Sequence, residues 1–123
     1  MKSYELNLTE YEVDYERWEL EDEKRVLKTG KEPFLIKTEL SGILRIPGIF
    51  ENGVAIFDAC MLGREIAACE EDTLTISEDE LTILKTAMNK LIAREHNPQA
   101  GQIALGGPRY ETMIVRVFGL DRE

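Results

Sequence analysis

The stretch that most constrains the fold runs from Ile76 to Pro98, ISEDELTILKTAMNKLIAREHNP. Ser77 and Glu80 stand at capping-box spacing, where a hydroxyl accepts a first-turn amide and a carboxylate reaches back to the cap. Ile76 and Leu81 take the positions of a hydrophobic staple. Glu78 and Asp79 complement the positive end of the helix dipole, and Lys90, Arg94 and His96 lie toward its negative end. Leu81, Leu84, Ala87, Met88, Leu91 and Ile92 recur at helical spacing and form one apolar stripe. Asn97 suits a left-handed stop, and Pro98 prevents continuation. The stretch predicts an amphipathic helix laid on a core. It carries no chemistry of its own.

At 123 residues the chain has the size of one domain. The expected organisation is a single α+β domain over 1–123, β-rich over 3–37 and helical over 39–96, with a C-terminal segment at 108–120. Tyr4, Leu6 and Leu8 alternate with polar residues, as do Tyr11, Val13 and Tyr15, which is the period of half-buried strands. The apolar set shifts from even to odd positions between Leu8 and Tyr11. Either a bulge absorbs one residue, or a turn over residues 7–10 separates two strands. Arg17-Trp18-Glu19-Leu20 continues the alternation and puts Trp18 on the side of the carboxylates. The segments 21–24 and 28–33 read as exposed turn and loop, with a short pairing at Val26 and Leu27 between them. Phe34-Leu35-Ile36 reads as a returning strand.

Leu40, Ile43 and Leu44 predict one helical turn and a little more, ended by Ile46-Pro47-Gly48. A longer helix opens at Glu51 or Asn52, with Ile56, Ala59, Cys60, Gly63, Ile66 and Ala67 on one face. Thr73–Ile76 is an extended connection. In the C-terminal segment strand propensity competes with helical periodicity. Tyr110, Met113, Ile114, Val117 and Phe118 form a helical stripe, Pro108 suits a first turn, and helix is favoured.

Charge narrows the functional classes. The net charge of −9 argues against direct nucleic-acid binding, which depends on lysine and arginine neutralising phosphates. No run of about 20 apolar residues suggests a membrane span. The N-terminal residues lack the apolar stretch of a secretory signal, so a cytoplasmic location is expected. Cys60 and Cys69 fall within one predicted helix, ~13 Å apart and on opposite sides, which suits free thiols rather than a disulfide or a shared metal. No zinc spacing, nucleophile motif or dinucleotide loop stands out, and neither cofactor nor metal is expected. Gly107 and Arg109, in the run Gly106-Gly107-Pro108-Arg109, are the one candidate cradle for an anion.

The feature that invites a functional reading is Glu10, Glu12, Asp14 and Glu16. On a strand these carboxylates project from one face about every 6.6 Å. Next to them Tyr11, Tyr15 and Trp18 supply aromatic surface. The expected function is that of a noncatalytic interaction or assembly protein, self-associating through a strand edge or this aromatic surface. Small acidic motif-free chains of this kind occur among accessory proteins of mobile elements and phages. Two alternatives stand beside it. One is an acidic inhibitor that mimics nucleic acid in a basic protein groove; the other is an enzyme whose site is assembled only in the fold. The expected partners are a protein, basic in the inhibitor reading, and a second copy of the chain.

Overall fold

The computed structural model describes residues 2–92, 105 and 108–122. It is a small α+β domain, with two antiparallel two-stranded sheets and four helices among the described residues. In chain order these are β1 (Ser3–Asn7), β2 (Tyr11–Glu21), β3 (Lys24–Phe34), α1 (Ile36–Ile43), α2 (Gly53–Ala68), β4 (Thr73–Ser77), α3 (Glu78–Ile92) and α4 (Pro108–Phe118). No helix among the described residues is long and apolar enough to cross a membrane.

The capping box of α3 forms as its spacing predicts. The Glu80 amide donates to Ser77 Oγ at 3.1 Å, and the Ser77 amide donates to Glu80 Oε1 at 3.0 Å. Leu81, Leu84, Ala87, Met88 and Leu91 are buried, whereas Ile92 ends the helix largely exposed. The expected stop at Asn97 and Pro98, with Arg94 and His96, lies outside the described residues. Helix α4 settles the competition in its segment. Met113 and Val117 are fully buried, Tyr110, Ile114 and Phe118 pack beside them, and Val115 faces out.

The first two strands are separate, with a turn in which the Thr9 amide donates to Asn7 Oδ1. They join different sheets. β1 pairs with β4 in the register Ser3↔Ser77 to Asn7↔Thr73, so Thr73–Ile76 is part of a strand and not a bare connection. β2 pairs with β3 from Tyr11↔Phe34 to Glu21↔Lys24. The loop expected over residues 28–33 is therefore strand, and the short pairing at Val26 and Leu27 belongs to a ladder of eleven residues a side. Phe34 ends β3, while Ile36 already opens α1, three residues ahead of the expected helical start.

Helix α2 opens at the Asn52 cap, whose Oδ1 accepts the Ala55 amide at 2.9 Å. Its buried face consists of Ala59, Leu62, Gly63 and Ile66. Ile56 and Ala67, expected on that face, are exposed. The rotation follows from close packing on α1: a Cβ at Gly63 would lie 3.4 Å from the Ser41 carbonyl. Cys69 lies just past the helix as its C-cap, and both thiols are free.

Candidate functional site

One element stands apart from the core. β2 and β3 pack mainly on each other, and eleven paired residues extend roughly 35 Å. The turn at the far end is Asp22-Glu23, with both residues at positive φ (49° and 66°). That is the two-residue geometry whose twist matches the flanking strands, here built without glycine.

The helices hold this arm at its base. Phe34 is 1% exposed. The Tyr11 ring stacks on it at 4.8 Å, and the Tyr110 ring of α4 meets it edge-on at 5.9 Å. Arg109 lies over the same ring and donates to Glu32 Oε1 at 2.6 Å. Arg116 donates to the Thr9 carbonyl at 2.6 Å and lies 4.9 Å from the Tyr11 ring centre. Burial pushes the Tyr11 phenol above the ordinary tyrosine range. Arg109, one of the two residues of the expected anion cradle, is thus engaged by a carboxylate; Gly107 lies outside the described residues.

Alternation sorts the arm into two faces. Tyr11, Val13, Tyr15, Arg17 and Glu19 share one side of β2; Glu12, Asp14, Glu16, Trp18 and Leu20 share the other. Tyr11 and Tyr15 are half-buried on the inner side, and Trp18 is on the outer side with the carboxylates. The three aromatics therefore do not form one surface. Tyr15 instead covers Gly30, its register partner, so closely that a Cβ there would lie 3.0 Å from the tyrosine oxygen. Arg17 stacks on Tyr15 at 4.2 Å and reaches Glu32 at 3.5 Å.

Glu12, Asp14 and Glu16 are all exposed on the outer face, and Glu10 precedes the strand. Lys31 is directly across from Asp14. Lys28 faces inward and pairs with Glu21 at 3.0 Å, and Lys37 donates to the Cys69 carbonyl at 2.6 Å. Of these three lysines, Lys31 alone stands opposite a member of the carboxylate row.

Beyond Glu16 the outer face becomes apolar. Trp18 is 61% exposed, Leu20 76% and Leu27 43%. Trp18 and Leu27 are register partners, and Arg25 lies 5.6 Å from the Trp18 ring centre. Leu20 and Leu27 were not among the residues expected from sequence. Continuing the alternation past Trp18 and reading Asp22-Glu23 as a two-residue turn would have placed Leu27 opposite the tryptophan.

Two concave surfaces lie on the helical body. A cleft of about 90 Å³ between the 44–50 segment and α2 is lined chiefly by Leu44, Ile46, Phe50 and Ile56, well below the usual size of a ligand pocket. A shallow groove between α2 and α3 exposes Phe57 and Met61 beside Glu65 and Glu80. Burial, together with the neighbouring Glu80 carboxylate, raises the Glu65 pKa. Neither surface brings a nucleophile and a base together.

No protein-family model, no curated protein and no solved structure matches the chain.

Proposed function

We propose that the chain is a noncatalytic assembly protein that associates with further copies of itself through the protruding hairpin. The observation that carries this reading is the exposure of Trp18, Leu20 and Leu27 on the outer half of the arm. Apolar residues gathered on a projecting element favour burial against a partner, because their removal from water is the main source of association energy. A second copy is the economical partner, since an open strand edge is a template for another strand. Among the described residues, β2 and β3 pair only with each other.

The charge arrangement favours this over nucleic-acid mimicry. On the face that carries the β2 carboxylates, β3 contributes Arg25 and Lys31. A basic groove meeting that face would meet these two cations as well.

Sedimentation equilibrium of the full chain from low to high micromolar concentration tests the proposal. The wild type is expected to show a concentration-dependent increase in mass. Trp18→Ala combined with Leu27→Ser is expected to remain monomeric while keeping its helical circular dichroism. A wild type that stays monomeric throughout would refute the reading.

A further inference from the structure

The arm has two edges, and they are not equivalent. Glu21 and Lys24 flank a two-residue turn and so form a hydrogen-bonded pair. Bonded and non-bonded pairs then alternate toward the base. On β2, the even-numbered residues from Glu12 to Leu20 turn their backbone N–H and C=O outward. On β3 the odd-numbered residues from Arg25 to Pro33 do so. Pro33 fits this assignment, because its missing N–H falls on the outer edge, where a proline is tolerated.

The β3 edge carries the devices that keep strands from adding. Pro33 interrupts its row of donors, and Lys24, Arg25, Lys28 and Lys31 crowd positive charge along it. The β2 edge has neither a proline nor a lysine. It carries Trp18 and Leu20, the most exposed of the arm's large apolar residues.

Within one copy, the cross-strand register leaves two charges of β2 without a countercharge directly opposite. Arg17 stands across from Lys28 and turns to Glu32 at 3.5 Å, with more than half of its side chain exposed, while Lys28 is held by Glu21. Glu19 stands across from Val26, which offers it no countercharge. Arg17 and Glu19 lie symmetrically on either side of Trp18. If β2 meets β2 of another copy antiparallel with Trp18 opposite Trp18, Arg17 falls opposite Glu19 of the partner. The two-fold axis makes the same contact twice. Glu16 then faces Leu20 of the partner, the ladder runs from Tyr15 to Glu21, and Asp14 falls at its end, across from Asp22 in the partner's turn. The register also satisfies the backbone, because Trp18, Glu16 and Leu20 all present outward groups.

We propose that two copies pair through their β2 edges about a two-fold axis at Trp18, making a four-stranded sheet in the order β3-β2-β2-β3. The arms run antiparallel, so the two helical bodies sit at opposite ends. The β3 edges remain outermost, where their lysines and Pro33 oppose further addition. The assembly closes as a dimer. This rests on the self-association proposed above and specifies the surface that performs it.

A charge-exchange series tests the pairing. Arg17→Glu puts carboxylates opposite one another across the axis, and Glu19→Arg puts cations there. Each single variant is expected to dimerise about tenfold or more weakly than wild type, since each change is felt twice. The double exchange Arg17→Glu with Glu19→Arg restores the pair and is expected to recover the wild-type dissociation constant. Amide hydrogen exchange on the unmodified chain gives an independent readout. Dimerisation should protect Glu16, Trp18 and Leu20 while leaving Arg25, Leu27 and Thr29 unchanged. An associating wild type with protection on the β3 edge, or on neither edge, overturns this pairing but leaves self-association standing. Single variants that dimerise like wild type, or a double exchange that fails to recover, overturn it too. A monomeric wild type removes the self-association reading itself.

Discussion

Replacing Phe34 by alanine probes where the body ends and the arm begins. Phe34 is the one fully buried large side chain of the hairpin. Truncating a buried phenylalanine costs about 3–5 kcal/mol. Its contacts with Tyr11 and Tyr110 each add about 0.5–1.5 kcal/mol beyond the area removed from water. The cost should therefore lie near the top of the range, about 4–5 kcal/mol, a large fraction of the ~5–15 kcal/mol that holds a domain together. Trp18 gives the contrast. With 61% of its surface open, it covers roughly 100 Å², worth at most about 2.5 kcal/mol at ~25 cal/mol per Å². A compact denatured chain and the surface retained by alanine reduce this to about 1–2 kcal/mol. Urea unfolding at low micromolar concentration, below any association, measures both. Phe34→Ala should move the midpoint about two to five times further than Trp18→Ala. Equal shifts would show that Trp18 is packed within the single copy and would remove the basis for a projecting arm.

Three further outcomes are expected. Ser77→Ala should lower stability by about 0.5–2 kcal/mol in a urea titration, because the Glu80 amide loses its acceptor; an unchanged midpoint would mean that the cap contributes nothing. Glu23→Gly should stabilise the hairpin by about 1 kcal/mol, since glycine adopts the positive φ of that position without strain; thermal melting reads the shift. Glu65→Gln should stabilise slightly at pH 7, by about 0.5 kcal/mol or less at so exposed a site. The sign follows from linkage: a carboxyl whose pKa is raised by folding holds its proton better in the native state, so stability is lost as pH rises through its range. The gain from glutamine should accordingly vanish below the carboxylate range, and melts at both pH values check it.

The parts of the fold legible in sequence were those fixed by local chemistry. Ser77 and Glu80 satisfy each other within one turn, and the stripe from Leu81 to Leu91 needs no distant information. Strand β3 was illegible for a specific reason. Gly30, Pro33 and four basic residues look like loop when read alone. In the pairing, Gly30 gains the cover of Tyr15 and Pro33 falls where no donor is required. On α2, Ala59, Gly63 and Ile66 are buried as their spacing predicts, whereas Ile56 and Ala67 are exposed and Leu62 is buried; the approach of Gly63 to Ser41, which sets this rotation, is made across 22 residues of chain and is not legible locally. At the arm, the carboxylates and Trp18 stand out from the alternation of β2 alone. Leu20, Leu27 and the Arg17–Glu19 pair acquire meaning only once the register is known.

The pairing of β1 with β4 bears on how the chain reaches this fold. Residues 3–7 find their partners at residues 73–77, so the sheet that seats α3 cannot close until residue 77 has left the ribosome. Between them, the pairing of β2 with β3 and the packing of α1 on α2 are shorter-range contacts that can form early, although the base of the hairpin waits for α4. Closing so long a loop costs conformational entropy before any contact repays it. The hairpin can therefore take shape on a nascent chain whose core is still open, with Trp18 in water from the outset. During synthesis, the surface fitted for a second copy would precede the body that carries it.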